Sequence, residues 1–345
     1  MARLSLNCRQ RMSAEVISTE TPAHFKQALA RAVALLRAGE VVALPTETVY
    51  GLAANALDAA AVARIYELKG RPAHNPIIVH VASWELARKC TADWPVAADR
   101  LARAFWPGPL TLVLPRSQVI PDVVTAGGNT VGVRWPSHPF MQAVIRECGF
   151  PLAAPSANRS NEISPTNAEH VRRSLGDRLK LIVDGGQSAV GIESTVVDVS
   201  EAGVRILRPG MIHEESLAAA VGAALSQGAS GNHLKSPGLL PKHYSPNARV
   251  LVLSWRSIEE LLRQVAALRI DRSRAVVIAH SCLPGPEGWA SVNVIPHDAE
   301  AYARALYAEW HRCDEERAGW IVMEALPETS EWQGLADRLR RAAAD

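Results

Sequence analysis

Lys69-Gly70-Arg71 sets a lysine point charge two residues from a forked guanidinium. That pairing suits a polyphosphate, which offers both kinds of contact. The same cations suit an ordinary helix C-terminus, where they meet the negative end of the dipole. Pro72 forces an extended backbone at Arg71 and carries the guanidinium away from the helix end, so both readings stay open. The run Thr130-Val131-Gly132-Val133-Arg134-Trp135 alternates as a strand, with Thr130, Gly132 and Arg134 on one face. An unpaired buried arginine is costly, so that face meets solvent or an anionic ligand, and Gly132 would let a ligand approach the backbone.

Four further positions carry polar groups at the ends of apolar runs. In Ile77–Val81, Ile78 and His80 share a face, and a lone strand-end histidine fits a structural role as well as a chemical one. Ser156-Ala157-Asn158 puts two polar side chains on one side of an extended turn, which is also ordinary turn chemistry. Ser164 before Pro165 reads as a helix N-cap, at a helix end that could take an anion. Residues 194–208 read as a hairpin: if Ser200 to Ala202 form the loop, 199 pairs with 203 and Ser194 falls opposite Arg208. The usual phosphate cradles G-x-x-x-x-G-K-[ST] and G-x-G-x-x-G are missing, as are H-E-x-x-H and G-x-S-x-G.

These residues must be positioned by elements that the rest of the 345-residue chain supplies. With 48% hydrophobic and 21% charged residues, the composition is that of a folded globular protein. Lys and Arg number 37 against 35 Asp and Glu, a net charge of +2 that provides no whole-molecule field for nucleic acid or an anionic membrane. No run reaches the ~18–20 apolar residues of a membrane span. The N-terminus lacks the apolar core of a secretory signal. Five scattered cysteines form no C-x-x-C and read as reduced packing thiols of a cytoplasmic protein.

Thr21 and Pro22 open a helix that Gly39 closes, and Val41 to Leu44 is a buried strand running into the turn Pro45–Gly51. Asp58–Lys69 and 138–148 are helices, and a further helix runs from Ser164-Pro165 to Gly176. Strands are expected at 77–81, 110–114, 130–135, 152–154 and 181–183. Helices and strands mix without strict alternation, which predicts one α/β domain over 15–213 with a mixed sheet. A connector follows at 214–247, including a flexible loop at 226–232 and the proline-studded run from Ser236 to Pro246. Strand–helix alternation then returns, predicting a smaller α/β domain over 248–345.

Several of these stretches together are more specific than any one of them. They are Leu44–Leu52, Lys69–Pro72 with Asn75-Pro76 and His80, Trp106–Thr111, Ala154–Asn158 and Glu193–Asp198, with the connector residues Ser236-Pro237-Gly238 and His243–Pro246. The set resembles the YrdC-like family in its two-domain, threonylcarbamoyl-adenylate-forming branch. That resemblance implies a mixed, twisted-sheet catalytic domain with a concave site and a smaller Rossmann-like C-terminal domain. It implies a nucleotidyltransferase that makes L-threonylcarbamoyl-adenylate and pyrophosphate from L-threonine, bicarbonate or CO2, and ATP, the first step toward threonylcarbamoyladenosine in tRNA.

Carried over by motif, Lys69 and Arg71 are the expected catalytic cations. ATP is expected on Lys69, Arg71, Asn75, Thr130, Ser156, Asn158, Ser164 and Arg208, with His243 and Tyr244 in a connector that covers the nucleotide. Threonine is expected among Thr48, His80, Arg134, Ala154 and Ser194, with Arg134 facing its carboxylate. Mg²⁺ is expected to come with ATP, since the sequence offers no carboxylate cage. A downstream tRNA-modifying transferase complex is the expected partner, without stable nucleic-acid or membrane binding. Two rival readings are a non-catalytic RNA-binding module and a carbamoyl-phosphate-linked carbamoyltransferase. Near-neutral charge speaks against the first, and the lack of room for further catalytic domains speaks against the second.

Overall fold

Runs of two to six residues, most of them apolar, pair into two sheets in a computed structural model that describes residues 14–201, 203–227 and 245–344. The first sheet contains β1 (Glu15–Ser18), β2 (Val42–Leu44), β3 (Gly51–Asn55), β4 (Val79–His80), β5 (Leu110–Pro115) and β6 (Thr130–Arg134). It continues with β7 (Leu152–Ala153), β8 (Leu181–Asp184), β9 (Thr195–Asp198), β10 (Arg205–Arg208) and β11 (Ser226–Gln227). Their spatial order is β1-β8-β2-β3-β7-β4-β6-β5-β9-β10-β11, with parallel and antiparallel pairs mixed.

Eight helices accompany this sheet among the described residues: α1 (Pro22–Arg37), α2 (Ala59–Lys69), α3 (Trp84–Cys90), α4 (Val96–Phe105), α5 (Asp122–Thr125), α6 (Pro139–Cys148), α7 (Ala168–Leu175) and α8 (Glu214–Val221). Alternation along β2 and β8 divides their side chains between two cores. Val42, Leu44, Leu181 and Val183 pack with α1 and α6, while Ala43 and Ile182 join the core that holds α2, α4, α7 and α8. Both faces are therefore covered, which explains why these strands read as continuous apolar runs.

The second sheet is parallel throughout, in the order β12-β15-β13-β14. It is built from β12 (Arg249–Leu253), β13 (Ala275–Ala279), β14 (Ser291–Val294) and β15 (Trp320–Glu324), with α9 (Ile258–Ala267), α10 (Ala299–Glu315) and α11 (Gln333–Ala342). α9 covers one face. On the other face α10 and α11 form a core that also takes in Val49, Ile163 and Ile192 of the first unit. Tyr302, Leu306, Tyr307 and Trp310 are fully buried there, so the two units share one apolar contact.

Four expectations change. Ser164 does not cap a helix: α7 starts at Ala168, and Asn167 accepts from the His170 N–H as its cap. The strand expected over 77–81 is confined to Val79–His80. The hairpin is out of the expected register by one residue: Arg205 pairs with Asp198, and a bulge then puts Arg208 beside Val196. Finally, the start of the expected connector folds onto the first sheet. Leu217 and Val221 of α8 enter its core, and Ser226–Gln227 adds a strand beside β10 where a flexible loop is expected.

Candidate active site

Where β4, β6 and β9 meet the turns after β2 and β7, the sheet opens into a cleft. Its walls are Thr46, Thr48, Val49, Gly51, Arg71, Ile78, His80, Arg134, Ala154, Pro155, Ser156, Glu193, Ser194 and Arg208. Parallel pairing sets His80 directly beside Arg134, and antiparallel pairing sets Thr111 on the other side of Arg134. Thr111 Oγ1 lies 2.8 Å from Ser194 Oγ, which ties β9 into the same wall.

Arg134 is only 4% exposed, and its surroundings explain how the charge is tolerated. Nη1 donates to Thr48 Oγ1 at 2.8 Å and Nε to the Gly108 carbonyl at 3.3 Å. Nη2 stands 2.7 Å from Glu47 Oε1, close enough for an ion pair but off the N–H direction of a hydrogen bond. Burial works against the Glu47 charge, but Arg134 and the Ser137 N–H outweigh it and hold the carboxyl below its ordinary range. Its second oxygen is buried without a partner. His80 is pushed down to about 3 by burial first and the neighbouring Arg134 second, so its imidazole is neutral at physiological pH. His80 Nδ1 is buried and unpartnered, a polar atom left to meet a ligand.

The other end of the cleft is cationic. Asp58 caps α2 and Gly70 closes it in the left-handed conformation at φ 60°, which turns the chain so that Lys69 and Arg71 both run inward. Lys69 Nζ donates to the Ser156 and Asn158 carbonyls, each at 2.5 Å. Burial, reinforced by Arg71, pushes the Lys69 ammonium well below its ordinary range. Arg71 Nε and Nη2 reach the Asn75 carbonyl at 3.0 Å and Asn75 Oδ1 at 2.7 Å, and Nη2 also reaches the Pro76 carbonyl at 2.7 Å. Asn75 is thus a brace for Arg71 rather than part of the wall. Asn158 spends its amide N–H bonds on Arg159 and Glu162 carbonyls, and leaves Oδ1 buried and unpartnered. Arg208 donates from Nη2 to the Ser194 carbonyl at 2.9 Å and to Ser194 Oγ at 3.2 Å. The contact expected from the hairpin forms despite the shifted register, because the guanidinium is long enough to span the bulge.

Among the expected site residues, Thr48, Arg71, His80, Arg134, Ala154, Ser156, Ser194 and Arg208 face the cleft. Lys69, Asn75 and Asn158 stand directly behind it. Ser164, fully buried, donates from Oγ to Glu193 Oε1 at 2.6 Å and so supports a wall residue. Thr130 does not line the cleft; it sits at the far end of β6, opposite Pro115. His243 and Tyr244 lie outside the described residues. Glu47 and Glu193 are wall or wall-side groups that spacing did not single out, although both adjoin expected residues. Glu193 is held by Tyr307 and Arg338, which no sequence period could bring to it across more than a hundred residues. Among the described residues no group of three or more His, Cys, Asp or Glu is placed to hold a metal ion.

The chain resembles known proteins over nearly its whole length. Residues 34–210 match the Sua5/YciO/YrdC family, described as telomere recombination, and residues 212–344 match the C-terminal domain of threonylcarbamoyl-AMP synthase. A Pyrococcus abyssi protein named threonylcarbamoyl-AMP synthase is 39% identical over 322 residues, covering 90% of this chain and 93% of its own. A Bacillus subtilis protein of the same name is 40% identical over 321 residues, covering 91% and 92%. The crystal structure of P. abyssi Sua5 complexed with L-threonine superposes with a TM-score of 0.87 at 37% identity, covering 96% of this chain and 98% of that one. In both of its units, therefore, this chain belongs to the Sua5/YciO/YrdC family, in the form that carries the threonylcarbamoyl-AMP synthase C-terminal domain.

Proposed function

We propose that this chain makes L-threonylcarbamoyl-adenylate and pyrophosphate from L-threonine, bicarbonate or CO2, and ATP. The observation that carries this reading is the division of one buried cleft between two chemistries. Arg134, Thr48, neutral His80 and Ser194 form a wall suited to a small amino acid; Arg71 and Ser156, with Lys69 behind them, and Arg208, which adjoins Ser194, supply groups suited to phosphates. The relatives' name and the threonine-bound structure of P. abyssi Sua5 agree with it.

The reaction needs no protein nucleophile. The threonine amine attacks CO2, loses a proton and becomes a carbamate. A carbamate oxygen then attacks the α-phosphorus of ATP, forming the new P–O bond as the bond to the β-phosphate oxygen breaks and pyrophosphate leaves. Arg134 would receive the threonine carboxylate, with the Thr48 and Ser194 hydroxyls around the substrate. A neutral His80 can accept a hydrogen bond from the substrate, which a protonated imidazole could not, and with its pKa held at about 3 it leaves the amine proton to pass to solvent. Arg71 and Lys69 would stabilise charge gathering on the leaving pyrophosphate, and Ser156 and Asn158 would fix the nucleotide, so that positioning and electrostatics supply the rate.

Mg²⁺ would be held chiefly by the phosphates and water. The two carboxylates at the cleft, Glu47 and Glu193, are already turned to Arg134 and Arg338. A transferase that passes the threonylcarbamoyl group to tRNA would consume the product. No helix among the described residues is long and apolar enough to cross a membrane. The RNA-module reading gains nothing: Lys69, Arg71, Arg134 and Arg208 are each at most 9% exposed, out of reach of an extended phosphate backbone.

The test is ATP–pyrophosphate exchange. Exchange that requires both threonine and bicarbonate is expected, together with a loss of ATP binding in Arg71→Ala. Absence of exchange in the wild type, with Arg71→Ala binding ATP normally, would refute the reading.

A further inference from the structure

Arg338 lies in α11 of the second unit and is fully buried, with its guanidinium inserted into the first unit. Nε donates to Glu193 Oε2 at 3.0 Å, Nη2 to the Glu193 carbonyl at 3.2 Å and Nη1 to the Pro209 carbonyl at 2.6 Å. Tyr307 of α10 donates to the same Glu193 oxygen at 3.0 Å. Glu193 precedes Ser194 and Pro209 follows Arg208, so one side chain fastens both arms of the hairpin at the residues flanking two wall groups of the cleft. Backbone contact reinforces the join: a methyl group on Gly334 would lie 2.6 Å from the Gly210 carbonyl oxygen.

Resting on the functional reading above, we propose that Arg338 is a positioning residue through which the second unit sets the Ser194–Arg208 side of the cleft. The physical basis is competition for one buried carboxylate. Arg338 and Arg208 both stabilise the Glu193 charge, against the burial that opposes it. With Arg338 engaged on Glu193, Arg208 keeps its Nη2 on Ser194. Remove Arg338, and Arg208 must answer the buried carboxylate and swing away from the substrate side.

The test compares wild type, Arg338→Met, Arg338→Lys and Glu193→Gln/Arg338→Met as full-length chains, at temperatures where each is folded by circular dichroism. For Arg338→Met, KM for threonine and for ATP should rise about tenfold while kcat stays within about threefold, the signature of lost substrate positioning. Arg338→Lys should recover part of that loss. The double variant should recover most of it, because an uncharged amide no longer competes for Arg208. A crystal structure of Arg338→Met should show Arg208 Nη2 displaced from its 2.9 Å contact with the Ser194 carbonyl.

Unchanged KM values, or a loss that follows only the unfolded fraction and is not relieved in the double variant, would overturn the proposal. If the wild type shows no threonine-dependent exchange, the functional reading fails and the crystal structure alone decides: an Arg208 that stays on Ser194 refutes the positioning role.

Discussion

Arg134 and Glu47 form an ion pair whose partners are almost completely buried, at 5% and 7% side-chain exposure. Removing one partner of such a pair leaves the other desolvated and uncompensated, whereas removing both does not. Arg134→Met should therefore cost about 3–5 kcal/mol in denaturant unfolding, and Glu47→Gln/Arg134→Met clearly less. Threonine binding should be lost in both. A loss in the double variant equal to the sum of the losses in Arg134→Met and Glu47→Gln would show that the pair is not coupled.

Lys69 makes a prediction of opposite kind, because its ammonium is held below its ordinary range by burial and by Arg71. Phosphates beside it would raise it again, so the complex binds more protons than the free protein. ATP binding should then take up protons and weaken as pH rises. Calorimetry in buffers of different ionisation enthalpy reads this directly, and Lys69→Met should abolish the uptake. No net uptake in the wild type would remove Lys69 from the phosphate site. At this scale the cations were legible because charged residues at the ends of apolar runs stand out. Glu47 and Glu193 were not, because their roles arise from what packs on them.

Among elements, α7 and α10 meet through two histidines. His170 and His311 stack with ring centres 3.8 Å apart, and His311 Nε2 lies 3.2 Å from the Ser164 carbonyl. Burial first, then His311 and Arg173, push His170 down to about 3, and burial pushes His311 down to about 4. Each binds a proton near 6.5 when unfolded, so the unfolded chain holds more protons over the interval between. Their contribution is present in full above about pH 6.5 and is lost as pH falls toward 4, at about 1–2 kcal/mol for each between pH 7 and 5. Melting temperature should drop over that range, and His170→Gln and His311→Gln should flatten the drop. A pH-independent wild type would contradict the assignment.

Element reading succeeded where local chemistry was explicit, as with Thr21 and Pro22 at α1 or Asp58 and Gly70 around α2. It failed where the tertiary structure decides. Gly51-Leu-Ala-Ala-Asn55 has no β-branched residue, yet it becomes β3 because β2 and β7 pair with its two edges. Ser164-Pro165 resembles a helix start, but the serine hydroxyl is committed to Glu193 and Asn167 caps the helix instead.

For the whole molecule, a net charge of +2 is a balance of surface charges around a few cations gathered in one cleft. The two units meet so closely that backbone touches backbone. Gly191 has φ 88°, and a methyl group there would lie 2.2 Å from the Ala303 carbonyl oxygen. Gly203 has nearly the same φ, 91°, with nothing within 4 Å. Gly203→Ala should cost only the left-handed strain, about 1–2 kcal/mol, whereas Gly191→Ala should cost more than about 3 and loosen the join between the units. Similar losses in the two variants would show that the contact carries no weight. The existence of two α/β units was readable from the return of strand–helix alternation after residue 247. How they join was not, because residues 191–193 and 209–210 meet α10 and α11 only in three dimensions.

The central claim is that one cleft joins threonine, CO2 and ATP. Mass spectrometry of a reaction containing purified protein, Mg-ATP, bicarbonate and either threonine or serine tests it most directly. The account predicts the mass of threonylcarbamoyl-adenylate, shifted by one unit with ¹³C-bicarbonate, and far less adduct with serine. Pyrophosphate released without that adduct, or equal adducts from both amino acids, would contradict it.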